Sequence, residues 1–366
     1  VCFSYNSFEH NTPVTDNRKD LTVTRFNRNK LKWAAVVAAF LVIITQTGCK
    51  DNDVEPVTQD NYFLDTTCSV SVYQIDGSLD EDKAKAAITK AFDRCRELDK
   101  KLSNKTDTSD VAKINNAKGA WVTVGDDAAK VIKEGLRYGK LSDGMFDITI
   151  GRVTDLWDFH ADKPKLPDDN KLQDALQHVD YRNVEVDGNR VRLLDPEAKL
   201  DLGGIAKGYV GDEMRKALKK EGVTSAVINL GGNIVTIGMK PNGEDYTIGI
   251  EKPFSDRQEI IGKTHIGEGT VVTSGIYERQ FKLKGKRYHH ILSPKTGYPV
   301  DTDLEAVTLV TTDNSSMDAD AMSTICLMKG VKGAKAFIKT QKGIEAAFYA
   351  DDNSVSTTKN MDFTAE

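Results

Sequence analysis

The sequence predicts an α+β fold. Segments with helical spacing and segments with strand-like alternation come in mixed blocks without a strict βαβ rhythm, which argues against a doubly wound parallel sheet. From Asp60 to the polar C-terminal stretch there is no second linker, no low-complexity tract and no repeat. A single domain over residues 61–350 is therefore expected, and a chain of 366 residues can supply its core.

The elements follow in chain order. Phe63 to Tyr73 alternates and is rich in Val, Thr and Ser, which predicts a strand. Asp80 to Leu102 places Ala84, Ala87, Ile88, Ala91, Phe92, Cys95 and Leu98 on one helical face. Asp126 to Leu141 is a second helix, opened by acidic residues and stopped near Ser142-Asp143-Gly144. Tyr181 to Leu194 reads as a hairpin around Asp187-Gly188-Asn189. Asp201-Leu202 reads as the end of a strand that turns through Gly203-Gly204 into a helix ending near Glu221. Strands are expected at Ala226 to Gly238, broken by Gly231-Gly232-Asn233, then at 246–251, 271–273, 281–283 and 306–310. Helices over 316–328 and 333–340 close the body, and residues 351–366 are expected to form a polar tail.

The N-terminus differs from the rest. Arg25, Arg28, Lys30 and Lys32 precede an apolar run from Trp33 to Thr45 that leads into Thr47-Gly48-Cys49. A cationic segment, a short apolar core and small residues describe a secretory signal over 25–49, too short for a comfortable membrane-spanning helix. Gly48-Cys49 resembles the bacterial lipobox, with Gln46 where that motif usually has Leu. Lipidation at Cys49 is the first reading and an uncleaved N-terminal anchor the second. Either places the body on the extracytoplasmic face of the membrane. Residues 1–24 have no apolar period and read as a discarded leader, while 50–60, polar and containing Pro56, read as a tether. Setting aside Cys2 and Cys49 leaves Cys68, Cys95 and Cys326, an odd number that implies no complete disulfide framework. The formal charge of −5 is mild and its signs are mixed, so nothing points to nucleic-acid binding.

Four segments carry the chemistry, three of them marked by glycine. Asp201-Leu202-Gly203-Gly204-Ile205-Ala206-Lys207-Gly208 joins a glycine turn to a helix with Lys in its first turn. Such a turn aims backbone N–H groups and the helix dipole at an anion, although its glycines also suit packing alone. Asp143-Gly144-Met145-Phe146-Asp147 places two carboxylates around a turn. Thr273-Ser274-Gly275 precedes His289-His290-Ile291-Leu292-Ser293-Pro294-Lys295-Thr296-Gly297. Strand neighbours face opposite ways, so only one of the adjacent histidines can enter a site from one face. Asp320 and Thr324 lie one helical turn apart, hard oxygen ligands suited to Mg²⁺, or else an incidental pair on a capped helix.

Taken together, these segments resemble the ApbE family, the FAD:protein FMN transferases. The resemblance runs from about Phe63 to about Ile338. It includes Leu64-Asp65-Thr66, Leu102-Ser103-Asn104, Ser109-Asp110, Ile114-Asn115, Leu156-Trp157, Asn229-Leu230-Gly231-Gly232-Asn233 and Ala319-Asp320, besides the motifs above. It implies one domain of mixed, largely antiparallel sheets flanked by helices. It also implies that Asp320, Thr324 and the Gly204 carbonyl bind Mg²⁺. Met145, Phe146 and Asp147 would line the flavin or adenosine pocket; Asn104, Asp201, Lys207 and the Leu292 backbone would contact FAD. His290 is the candidate general base. Two departures stand out: Asn104 and Lys105 occupy a stretch where the family places an aromatic over the flavin, and Ser293 stands where many members have Asp.

The implied reaction moves FMN from FAD to a Thr or Ser hydroxyl of an extracytoplasmic redox protein, releasing AMP. Two alternatives remain at this stage. The first is an FAD pyrophosphatase giving FMN and AMP, which the Asn104-Lys105 departure favours. The second is a non-catalytic FAD-binding lipoprotein.

Overall fold

A computed structural model of the chain describes residues 54–255 and 259–366. The expected leader, the signal or anchor, Cys49 and the first part of the tether lie outside the described residues. Among the described residues no helix is long and apolar enough to cross a membrane.

The chain opens with β1 (Val57–Phe63) and β2 (Thr66–Ile75), followed by α1 (Glu81–Leu102), α2 (Asp110–Asn116), β3 (Val122–Thr123) and α3 (Asp126–Leu141). Two short helices follow, α4 (Gly151–Thr154) and α5 (Asp169–Leu176), then the hairpin β4 (Val184–Asp187) and β5 (Arg190–Leu193). Next come α6 (Ala206–Lys220), β6 (Val223–Leu230), β7 (Asn233–Ile237), β8 (Tyr246–Glu251), β9 (Ile260–Ile266) and β10 (Thr270–Gly275). The last part holds β11 (Gln280–Leu283), β12 (Lys286–His289), β13 (Leu304–Thr311), α7 (Ser316–Lys339), β14 (Glu345–Ala350), β15 (Val355–Thr357) and β16 (Thr364–Ala365).

Eight strands form one sheet in the order β1-β2-β6-β7-β10-β13-β14-β15, and every ladder in it is antiparallel. Smaller sheets join β16-β9-β8, β3-β5-β4 and β11-β12. The fold is therefore α+β with largely antiparallel sheets, as the mixed block order predicts.

Burial follows the periodicities. Ala84, Ala87, Ile88, Ala91, Phe92, Cys95 and Leu98 line the buried face of α1, and Cys68, Val70 and Val72 alternate inward from β2. They meet α6 and α7 in one core. Asp80 caps α1 by accepting from Lys83 N at 3.0 Å, which satisfies an otherwise orphaned donor. A long helix over 316–339 takes the place of the two expected helices, but Gly330, at φ 66, kinks it between them.

Four expectations need correction. The strand expected over 63–73 starts only at Thr66 and runs to Ile75, because Leu64 and Asp65 turn the chain back from β1 with φ 54 and 59. Asp201-Leu202 is irregular, and only Lys199 makes an isolated bridge, to Ile150. The tether ends at Val57, where β1 begins. The tail contributes β15 to the main sheet and β16 to the β9 edge, so residues 351–366 belong to the folded body.

Candidate active site

The floor of the site forms where α6 and α7 cross. A Cβ on Gly208 would lie 2.2 Å from the Ser316 carbonyl oxygen, so only glycine permits this approach. The crossing brings Asp320 to the start of α6, where its Oδ2 accepts from Gly208 N at 2.9 Å. Asp212 on α6 reaches the other way and accepts from Ser316 N and Met317 N, both at 3.1 Å. The first turn of α7 is thereby tied to α6. Ser323 donates to the Asp320 carbonyl at 2.7 Å and bonds Ser274 at 2.7 Å, which attaches the Thr273-Ser274-Gly275 segment to the same corner.

Asp320 is 3% exposed. Burial raises its carboxyl pKa, partly opposed by Lys207 and by the Gly208 N–H. A buried carboxylate with so few donors is costly to keep charged. A cation beside it would remove that cost. Thr324 sits next to it, its hydroxyl 3.4 Å from the Asp320 carbonyl. A Cβ on Gly204 would come 3.7 Å from Thr324 Oγ1 and 2.9 Å from the Phe146 ring. Gly204, Thr324 and Phe146 therefore converge at one point.

The glycine loop is shaped from behind. Asp201 accepts from Gly203 N at 2.8 Å, from Thr154 Oγ1 at 2.7 Å and from Asn104 Nδ2 at 3.1 Å. Asn115 clasps Leu200 on both sides, accepting from its N–H at 2.7 Å and donating to its carbonyl at 3.1 Å. Ile205, at the N-cap of α6, supplies no side-chain acceptor to the first turn; instead Ala206 N donates to the Leu202 carbonyl at 2.9 Å and Gly208 N to Asp320. Lys207 is half-buried there. Its charge favours the ionised form of Asp320 and disfavours protonation of His290, so it is the positive centre of the site.

Phe146 is buried and packs edge-on against Tyr138, centroids 6.4 Å apart, while Met145 is half-buried. The Asp147 carboxylate points into the fold. It accepts from Thr149 N and Oγ1 at 2.8 and 2.6 Å and from Tyr181 N at 2.9 Å, and burial raises its pKa. Asp147 thus shapes the Met145-Phe146 turn and keeps no carboxylate oxygen free of these local bonds.

The histidine pair divides its roles. His289, 5% exposed, donates from Nε2 to the Val300 carbonyl at 3.2 Å, and its Nδ1 has no partner. Burial pushes its pKa down to about 4. His290 lies just beyond β12. Its backbone N–H donates to the Arg279 carbonyl at 3.1 Å, and its Nδ1 lies 3.3 Å from the same oxygen. A carbonyl can only accept, so Nδ1 carries the proton and Nε2 keeps its lone pair. Burial, then the charges of Arg279 and Lys207, hold the ring neutral well below its ordinary pKa. Leu292 is buried in an aromatic cluster with Trp157, Phe281 and Tyr288. Trp157 Nε1 donates to the Gly297 carbonyl at 2.9 Å, which holds the 293–297 turn in place.

Asp212, Thr154, Asn115, Arg279 and Asp65 carry structural duties that motif reading did not assign. Their partners lie far along the chain, so no local pattern marks them.

A model of the ApbE family matches residues 64–348. A protein of Klebsiella pneumoniae named FAD:protein FMN transferase is 36% identical over 280 residues, covering 76% of this chain and 84% of its own. One of Treponema pallidum with the same name is 31% identical, covering 81% and 85%. The crystal structure of the ApbE protein of Thermotoga maritima superposes with a TM-score of 0.75 at 28% identity, over 83% of this chain and 97% of its own. The flavin transferase ApbE of Vibrio cholerae gives 0.72 at 26% identity, over 83% and 96%. With the glycine loop, the Asp320–Thr324 corner and the neutral histidine in one domain of this fold, the chain is a transferase and belongs to the ApbE family.

Proposed function

We propose that the protein transfers FMN from FAD to a Ser or Thr hydroxyl of a partner protein and releases AMP. The observation that carries this reading is the corner where a buried carboxylate, Asp320, and Thr324 stand at the N-terminus of α6, whose first turn bears Lys207. The donor set fits Mg²⁺: one carboxylate, one hydroxyl and the Gly204 carbonyl are hard oxygens, and one carboxylate suffices for an ion that keeps several waters. When bound, Mg²⁺ supplies positive charge beside the diphosphate.

The chain's own residues do the rest. Lys207 and the positive end of the α6 dipole hold the diphosphate by charge. The acceptor hydroxyl gives its proton to Nε2 of His290 as its oxygen bonds to the FMN-side phosphorus. The bond from that phosphorus to the bridging oxygen breaks, and AMP leaves with the oxygen. The Arg279 carbonyl keeps the proton on Nδ1, so Nε2 keeps a lone pair that can accept the proton. An anionic diphosphate offsets the fields of Lys207 and Arg279, which raises the basicity of the ring when substrate is present.

A second reading, hydrolysis of FAD to FMN and AMP, draws on one observation. Asn104 turns toward Asp201 and brings no ring to cover the flavin, so water can replace the protein hydroxyl. The cationic segment, apolar run and Gly48-Cys49 support a body tethered to the extracytoplasmic face of a bacterial membrane, where redox proteins bearing a Ser/Thr target would be its partners.

The test incubates protein lacking residues 1–50 with FAD, Mg²⁺ and a candidate acceptor domain, with Asp320→Ala as control. A mass gain of one FMN on the acceptor, matched by AMP and lost in Asp320→Ala, is the expected result. FMN and AMP without labelling would favour hydrolysis; bound FAD with no AMP would overturn both.

A further inference from the structure

The tip of the β1–β2 hairpin is a two-residue turn built without glycine or asparagine. Leu64 and Asp65 are both left-handed, a conformation that two successive residues with side chains adopt only when their surroundings hold them there. The Asp65 carboxylate gathers three partners: Tyr62 OH donates to Oδ1 at 2.8 Å, and Arg279 Nη2 and His160 Nε2 each lie 3.1 Å from Oδ2. The Asp65 and Arg279 side chains are 48% and 37% exposed. An ion pair that wet contributes little to stability, so its value lies in what it places.

What it places is the base of a second hairpin. β11 and β12 form a separate two-stranded sheet, and an isolated pair of strands is marginal without outside anchors. Arg279 immediately precedes β11 and His290 immediately follows β12. The Arg279 carbonyl closes the hairpin by accepting from His290 N, and the same oxygen orients the imidazole through Nδ1. The Phe281 and Tyr288 rings hold one side, stacked 5.4 Å apart in the aromatic cluster. Arg287 ties the hairpin to Glu305 on β13 at 3.2 Å. Arg279–Asp65 is the tie next to the imidazole.

We infer that Asp65 is a positioning residue for the transfer step: through its ion pair with Arg279 it holds the carbonyl that fixes the tautomer and direction of the His290 ring. The inference rests on the transferase reading for its effect on rate, but the placement of the ring can be read without activity.

The experiment compares wild-type protein with Asp65→Asn and Arg279→Lys. The first readout is ¹⁵N NMR of the histidine rings, assigned with His290→Ala. The wild type is expected to show His290 as the Nδ1–H tautomer, Asp65→Asn to show a mixture, and the charge-retaining Arg279→Lys to keep mostly the Nδ1–H form. The second readout is single-turnover transfer at saturating FAD. Asp65→Asn is expected to slow it about ten- to hundredfold with FAD affinity unchanged, and to add nothing to His290→Ala. An unchanged tautomer in folded Asp65→Asn overturns the inference, as does a rate loss that adds in full to that of His290→Ala. Full activity in His290→Ala would instead sink the base assignment, and the NMR result would still judge the placement. Should Asp65→Asn fail to fold, Asp65→Glu with Arg279→Gln replaces it, under the same criteria.

Discussion

At the floor of the site α6 and α7 touch backbone to backbone at Gly208, and buried carboxylates are satisfied by backbone N–H groups. At the rim the His290 segment hangs from a two-stranded hairpin and is held by aromatic packing and half-exposed ion pairs. The floor cannot change without unpacking two helices. The rim can shift by the loss of one contact while the fold survives. In the proposed reaction charge neutralisation would fall to fixed groups on the rigid part. The proton it moves comes from an acceptor hydroxyl that must arrive and leave, and His290, which would take it, sits on the adjustable part.

The sharpest test of this contrast is His290→Ala. Loss of a general base should slow transfer by about 10²–10⁴-fold, or roughly 3–5 kcal/mol of barrier, while thermal stability and FAD binding stay near wild type. A matching loss of FAD binding would show that the rim is structural. Next is Gly208→Ala, which forces a methyl onto the Ser316 carbonyl. It should cost about 3 kcal/mol in denaturant unfolding; a loss of under about 1 kcal/mol would mean the crossing relaxes easily.

His289 gives a pH signature to the rim. Its folded pKa, about 4, lies below the unfolded value of 6.5, so the unfolded chain binds the extra proton first. Its contribution is complete above pH 6.5 and is lost as pH falls toward 4. Replacing it by leucine should flatten the decline in stability over that window by roughly 2–3 kcal/mol. Equal slopes in wild type and His289→Leu would show that the ring is protonated in the fold. The smallest effect is expected from Lys105→Ala, which breaks a largely exposed pair with Asp155, 3.2 Å apart. It should change stability by less than ~0.5 kcal/mol, and a larger loss would show that the segment beside Asn104 bears on the floor.

The two regions also differ in how far they can be read from the chain. Asp320 and Thr324 announce themselves because their spacing is a helical turn, and the glycine loop because glycines before a helix have a local meaning. The helix over 126–141 and the hairpin around Asp187-Gly188-Asn189 are similarly local, and both appear where expected. The turn at Leu64-Asp65 has none of the glycine or asparagine that usually marks one, so alternation alone runs through it as a strand. The resemblance implies a pocket role for Asp147, and no local pattern shows the bond its carboxylate accepts from Tyr181 N, 34 residues away. The polar composition of 351–366 conceals two strands, because an edge strand needs only a neighbour's backbone and little burial.

By itself the sequence determined the fold class, the helices with clear faces and the carboxylate–hydroxyl pair at the floor, since each depends on residues within one or two turns of each other. Only the tertiary structure decided that His289 bonds the Val300 carbonyl and His290 the Arg279 carbonyl. Likewise it alone decided that Asp212 caps α7 and that Asp65 reaches Arg279 across 214 residues. These pairings depend on strand order and helix crossing, which bring distant segments together by burying the whole core at once, and no short stretch of chain encodes them.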